Sequence, residues 1–333
     1  MARRSGHNAN RTGRAAAGRK ASAPRTEAPV TPLKLPRHVR TVVVFGGSFD
    51  PPHAMHVLAP YITTRAMFGD RGWLLFVPAS RSPHKSSTTA PDDHRLAMLR
   101  LAIDIPGQRS IWTDELDRAA WARSRGNKPA PSYTIDTLRR LRSIVPARVK
   151  LRLLIGSDQA ISFHKWKDPR EIIRLAEPLV AMRAPVESVL KLWNSLNTAR
   201  FWSHEERLAW LARLAPSVEA PLSSTAIRAA IPGAPATWRA WARHEPLELV
   251  HAGVARHIIR YNLYGHRPGE MKPINPDDVP PAPIGDDPAF ARLVMSLKDI
   301  KLSDAEWRQL FARMRRAQTR KTSKSKKPRR NKP

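Results

Sequence analysis

The chain has 333 residues, no cysteine, 41% hydrophobic content and a formal charge of +30 at pH 7. These figures exclude disulfides and thiolate-held metals. No apolar run reaches the length of a transmembrane helix or a secretory leader, so a cytoplasmic protein with no membrane partner is expected. The length allows one large domain or two smaller ones. Residues 1–40 supply +9 of the charge and residues 312–333 supply +11, which leaves +10 for the 271 residues between them. That moderately basic body suits a polyanionic ligand. The basic ends suit weak, salt-sensitive contact with nucleic acid or other polyanions, or simple solvated disorder.

Residues 1–40 are rich in Arg, Ala, Pro and Ser with little to pack, and read as a disordered basic extension; an Arg-rich, acid-poor start also resembles a transit peptide. Val42 to Phe45 is a short apolar run suited to a strand buried on both faces of a parallel sheet. Gly46 and Gly47 allow a tight turn there, and His53 and His56 stand where a helix begins. Strand, glycine turn and helix start together present backbone N–H groups to a phosphate. Trp73 to Val77 is a second strand, followed by a Pro/Ser loop carrying His84 and Lys85. A helix is expected over 91–101, a third strand at 111–113, a flexible loop over 114–131 and a helix from Ser132. Val149 to Ile155 and Pro178 to Met182 supply strands four and five.

Strands alternating with helices in this way predict an α/β fold. The expected form is a Rossmann-like, doubly wound parallel sheet of five to six strands with flanking helices. Right-handed crossovers would put the ends of strands one and four, at Gly46 and Gly156, on one edge of the sheet. Leu and Trp at helical intervals predict two helices within 186–214, and 217–220 reads as a last short strand. Ser223, Ser224 and Thr225 at a helix start, with Arg228 one turn on, make either an anion site or a plain N-cap. A helix over 251–264 should close at Gly265. Residues 266–286 look like a Pro-rich linker, 287–317 like a helical extension and 318–333 like a disordered basic tail.

Four ordered motifs carry a resemblance: GGSFDPPHAMH at 46–56, SYTIDTL at 132–138, IGSD at 155–158 with Trp166 beyond it, and SSTAIR at 223–228. With FVPASRSPHK at 76–85 they resemble the nicotinate-nucleotide adenylyltransferases of the nucleotidyltransferase superfamily, over about residues 41–264. The resemblance implies adenylyl transfer from ATP to nicotinate mononucleotide, giving deamido-NAD and pyrophosphate, with Mg²⁺ held through the ATP phosphates. It implies that His53, His56, Lys85 and Arg228 act on the phosphates. Gly46, Gly47, Ser48, Phe49, Asp158, Arg183, Ser224 and Thr225 would bind ATP, with Asp158 on the ribose. Tyr133, Thr134 and Trp166 would hold the pyridine nucleotide, Trp166 by stacking. The family usually has Gly where this chain has Met55, a side chain that could crowd the nucleotide. The competing readings are another phosphate acceptor, such as nicotinamide mononucleotide, and a nucleic-acid-binding protein with a degenerate core.

Overall fold

The computed structural model describes residues 27–81, 90–103, 109–186, 188–216, 223–267 and 269–275. Among these residues six parallel strands form one sheet: β1 (Thr41–Gly47), β2 (Gly72–Pro78), β3 (Arg109–Ile111), β4 (Lys150–Gly156), β5 (Glu177–Ala181) and β6 (Leu214–Ala215). Their order across the sheet is β3-β2-β1-β4-β5-β6. The chain therefore builds outward from β1 to one edge, then returns to β1's other side and builds to the opposite edge. β1 and β4 flank the point where the winding reverses, and crevices at the carboxyl ends of such strands are where open α/β sheets bind ligands.

Ten helices appear among the described residues: α1 (Ala54–Phe68), α2 (Asp92–Ala102), α3 (Asp114–Arg123), α4 (Thr134–Ile144), α5 (Ser157–Ser162), α6 (Pro169–Leu175), α7 (Val189–Thr198), α8 (His204–Ala212), α9 (Ser224–Ala230) and α10 (Ala252–Tyr261). They cover both faces of the sheet because successive strand residues point to opposite sides. Val43, Leu74 and Phe76 face a core shared with Val57 and Tyr61 of α1, Met98 of α2, Ile227 of α9 and Ile258 of α10. Val42, Val44, Leu75 and Ile155 face a second core with Leu138 of α4, Ile172 of α6, Leu192 of α7 and Trp210 of α8. The expected α/β class and strand count hold.

Several expected boundaries do not. The presumed loop over 114–131 contains α3, whose first turn carries Asp114, Glu115 and Asp117 at the positive end of the helix dipole. The presumed disordered extension over 1–40 has residues 27–40 laid against the body. The Thr31 backbone N–H donates to Asp114 Oδ1 at 3.0 Å and its hydroxyl to Asp117 Oδ2 at 2.6 Å. Trp112 Nε1 donates to the Thr31 carbonyl at 2.8 Å, and Leu33 and Leu35 pack on the second core. The supposed linker from 266 begins as packed chain. His266 is buried, Ile274 touches the first core, and the Lys272 N–H donates to the Tyr261 carbonyl at 3.0 Å. α10 stops at Tyr261 rather than near Gly265 because Asn262 takes the left-handed conformation at φ 54°. Asn tolerates that conformation, and it closes the last turn. Residues 1–26, Lys85, the expected strand at 217–220 and the helical extension lie outside the described residues.

Candidate active site at the β1–β4 switch

The loop after β1 is held in shape by groups from distant parts of the chain. Phe49 is buried at φ 49°, and its ring lies where a Cβ on Gly47 would approach to 3.1 Å. A side chain at residue 47 would press on that ring, which would have to give by a few tenths of an ångström. Fully buried Arg95 of α2 donates to the Ser48 carbonyl at 2.6 Å and pairs with Asp92 at 2.5 Å. Asp50 sits at the centre of the loop. Its Oδ1 accepts from the Ala90 N–H at 3.2 Å and from the Tyr264 hydroxyl at 2.8 Å. Burial first, then the charge of Asp50, holds the Tyr264 phenol well above its ordinary range, so it stays a donor to that carboxylate. The carbonyl of Asp50 accepts from Arg228 at 2.6 Å, and the Pro51 carbonyl accepts from the Ser224 hydroxyl at 2.9 Å. Arg228 also donates to Thr225 Oγ1 at 3.2 Å. The SSTAIR segment is thereby fastened to the loop it was expected to work beside.

His53 and His56 open α1 with ring centroids 3.8 Å apart. The His53 N–H donates to His56 Nδ1 at 3.4 Å, which in the neutral ring leaves the His56 proton on Nε2. His53 is buried, and among the described residues its Nδ1 has no hydrogen-bond partner. Burial, with smaller contributions from His56 and Arg183, holds its imidazole well below the ordinary range, so it is neutral near pH 7. Met55 is partly buried and packs on the first core. In this structure the departure from glycine is accommodated by that packing.

Across the switch, β4 ends at Gly156 and α5 begins with Ser157 and Asp158. Arg183 donates to both Asp158 carboxylate oxygens, at 2.6 and 2.8 Å. The pair lies directly over Gly156, where a Cβ would stand 2.2 Å from Arg183 Nε and 2.4 Å from Asp158 Oδ1. Ser157 is fully buried, and its hydroxyl donates to the Val186 carbonyl at 2.7 Å, locking the loop after β5 to the start of α5.

Between these two loops is a cavity of about 180 Å³. Gly46, Gly47 and Ser48 form one wall and Tyr133, Thr134 and Trp166 another. Trp166 stacks on buried Phe163, with centroids 4.7 Å apart and planes 28° from parallel, so Phe163 braces the indole. Lys167 lies over the Tyr133 ring at 4.9 Å. The structure thus brings the glycine turn together with the SYT motif and Trp166. It places Asp158–Arg183 beside the β4 end and Ser224, Thr225 and Arg228 beside Asp50.

Other groups in the site escaped the sequence reading. Asp50 stands inside the first motif, whereas Arg95, Glu115, Gln159 and Lys165 carry no local signal of their place near the cavity. The Asp in the motif signalled the first. Arg95 reads as an ordinary residue of an amphipathic helix, and Glu115 lies in a charged stretch that reads as a loop.

A parallel sheet with a glycine turn, a histidine pair and an aromatic cavity at its switch point defines an α/β enzyme built to hold nucleotides. The chain belongs to the cytidylyltransferase-like family, whose model matches residues 44–230. A protein of Chloroherpeton thalassium named "Probable nicotinate-nucleotide adenylyltransferase" is 32% identical over 232 residues, covering 68% of this chain and 98% of that protein. A protein of the same name from Albidiferax ferrireducens is 32% identical over 226 residues, with the same coverages. Among solved structures, Plasmodium falciparum nicotinic acid mononucleotide adenylyltransferase complexed with NaAD aligns at 16% identity with a TM-score of 0.46, covering 68% of this chain and 98% of that one.

Proposed function

We propose that this protein transfers the adenylyl group of ATP to nicotinate mononucleotide, forming deamido-NAD and releasing pyrophosphate. The observation that carries the reading is the single cavity in which Gly46, Gly47 and Ser48 face Tyr133, Thr134 and Trp166. It juxtaposes a phosphate-type turn with an aromatic, helix-capped compartment. An oxygen of the acceptor's phosphate would attack the α-phosphorus, and the bond from that phosphorus to the bridging oxygen would break as pyrophosphate leaves. The attacking oxygen is already an anion, so the site has no need of a general base. Positioning and charge stabilisation then carry the catalysis.

The chain's own groups suit those tasks. Backbone N–H groups at Gly47 and Ser48 would cradle the α-phosphate. His53, neutral near pH 7, and His56 would act as hydrogen-bond donors to the phosphate oxygens. Ser224, Thr225 and Arg228 would receive the departing pyrophosphate, with Lys85 assisting. Asp158 would bind the adenosine ribose, and Arg183, now paired with it, would shift toward phosphate or adenine as the nucleotide enters. Tyr133 and Thr134, at the start of α4, would hold the pyridine substituent while Trp166 stacks on the ring. Mg²⁺ would arrive as MgATP. Its preference for oxygen ligands would be met by the phosphates. The cytoplasm, where ATP is made and used, is the setting we propose. Pyrophosphate release from ATP with nicotinate mononucleotide tests the reading, with nicotinamide mononucleotide as the comparison; no release with either would overturn it.

A further inference from the structure

Glu115 is a buried carboxylate that adenylyl transfer does not call for. It lies in the first turn of α3 and is only 7% exposed, yet its side chain lines the same cavity as Tyr133, Thr134 and Trp166. One of its oxygens is held by a short hydrogen bond, and the Ser132 hydroxyl is near enough to influence the carboxyl without bonding Oε2. Oε1 accepts from the Thr137 hydroxyl at 2.6 Å, and Thr137 in turn accepts from Arg118 at 3.1 Å. Oε2 is buried with no hydrogen-bond partner among the described residues. A buried oxygen without a partner is costly unless something that enters the cavity satisfies it. Thr137 is one turn into α4, so the engaged oxygen also ties Glu115 to the helix whose start presents Tyr133 and Thr134.

Resting on the adenylyl-transfer reading, we propose that Glu115 is a specificity residue: its Oε2 hydrogen-bonds the exocyclic group of the pyridine ring, distinguishing a carboxylate from a carboxamide. Two carboxylates cannot share a hydrogen bond without a proton between them, so accepting the acid requires Glu115 to be protonated. An ionised Glu115 would instead accept a hydrogen bond from the amide nitrogen.

The surroundings favour the protonated form. Burial is the largest influence and pushes the Glu115 carboxyl above the ordinary range, with Asp114 adding to the effect. The Thr137 and Ser132 hydroxyls and Arg118 act in the opposite direction. Lys165 and Lys167 line the same cavity. Glu115 also borders a second cavity of about 490 Å³, into which Asp136, Arg139 and Arg140 of α4 and Glu27 face. All of these belong to the free enzyme. An incoming nicotinate carboxylate adds a like charge beside Glu115 and favours its proton further.

The test is the ratio of kcat/KM for nicotinate mononucleotide to that for nicotinamide mononucleotide, measured against pH. The phosphate common to both substrates titrates alike and cancels. The ratio is also unaffected by the fraction of protein that is folded. In the wild-type protein the ratio should fall as pH rises, by up to about tenfold per pH unit above the Glu115 titration. In Glu115→Gln the amide carbonyl keeps the Thr137 bond and the NH₂ group stands in for the protonated oxygen, so the ratio should become independent of pH. Glu115→Ala, which can donate nothing, should lower the ratio about tenfold at the acid end of the range. A pH-independent ratio in the wild type, or the same slope in Glu115→Gln, overturns the assignment while leaving adenylyl transfer standing. Turnover with neither substrate overturns adenylyl transfer itself and this assignment with it.

Discussion

Gly156 shows how one missing side chain can organise a site. The Asp158–Arg183 pair occupies the space a Cβ would fill, and the contacting atoms all belong to side chains rather than backbone. Gly156→Ala should therefore displace the ion pair rather than unfold the protein. The expected outcome is a raised KM for ATP with little change in melting temperature; a normal KM would remove the pair from the nucleotide site. His56, whose Nε2 should carry the donor proton, contributes in a different way. His56→Ala should lower turnover at least about tenfold, roughly 1.4 kcal/mol of transition-state stabilisation. Unchanged turnover would take it out of the mechanism. Trp166 is braced by Phe163, so Trp166→Ala should raise the KM for the pyridine nucleotide much more than that for ATP. Equal effects on the two substrates would refute stacking.

At the scale of elements, the β1–α1 loop takes its shape from helices distant in sequence. Arg95 reaches from α2 to the Ser48 carbonyl, and Tyr264, beyond α10, reaches Asp50. Replacing Arg95 with Met would leave a buried carbonyl unpaired and Asp92 short of a partner. That should cost about 3 kcal/mol of stability, read as a lowered denaturant midpoint. The segment over 27–40 behaves as part of the fold through Thr31, Leu33 and Leu35. A chain starting at residue 39 should melt several degrees below one starting at residue 27. Coincident melting curves would show that the segment contributes nothing.

For the molecule as a whole, buried histidines give stability a dependence on acid. Burial is the main cause that lowers both His53 and His94 from the ordinary imidazole range. His94 donates from Nε2 to the Lys272 carbonyl at 3.1 Å, so its Nδ1 is the acceptor for His257 Nε2 at 3.0 Å. A protonated His94 would lose that acceptor. The unfolded chain takes up protons at these rings below about pH 6.5, while the folded chain resists until lower pH. Their contribution is therefore complete above that value and is lost as pH falls through it toward the lowered folded values. The denaturant midpoint should drop between about pH 7 and pH 5, and a constant midpoint would contradict the neutral assignments.

The sheet was legible from the chain because buried parallel strands are written as short apolar runs separated by helical periods, and Gly46, Gly47 and Gly156 mark their ends. The motif residues at those ends were legible for the same local reason: a turn that meets a phosphate needs glycine and donors close together in sequence. Local pattern could not show which distant residues the turn leans on. Arg95, Tyr264 and Glu115 look like ordinary helix or loop positions until the sheet closes, bringing α2 and the segment after α10 to the loop after β1 and α3 against β2. Residues 27–40 carry too few apolar side chains to register as structure, yet Asp114, Asp117 and Trp112 supply the partners that fasten them. Short-range chemistry decided where the strands end and what the first loop could bind. Long-range packing decided which buried charges surround it, and so left Glu115 at the wall of the cavity with one oxygen lacking a hydrogen-bond partner among the described residues.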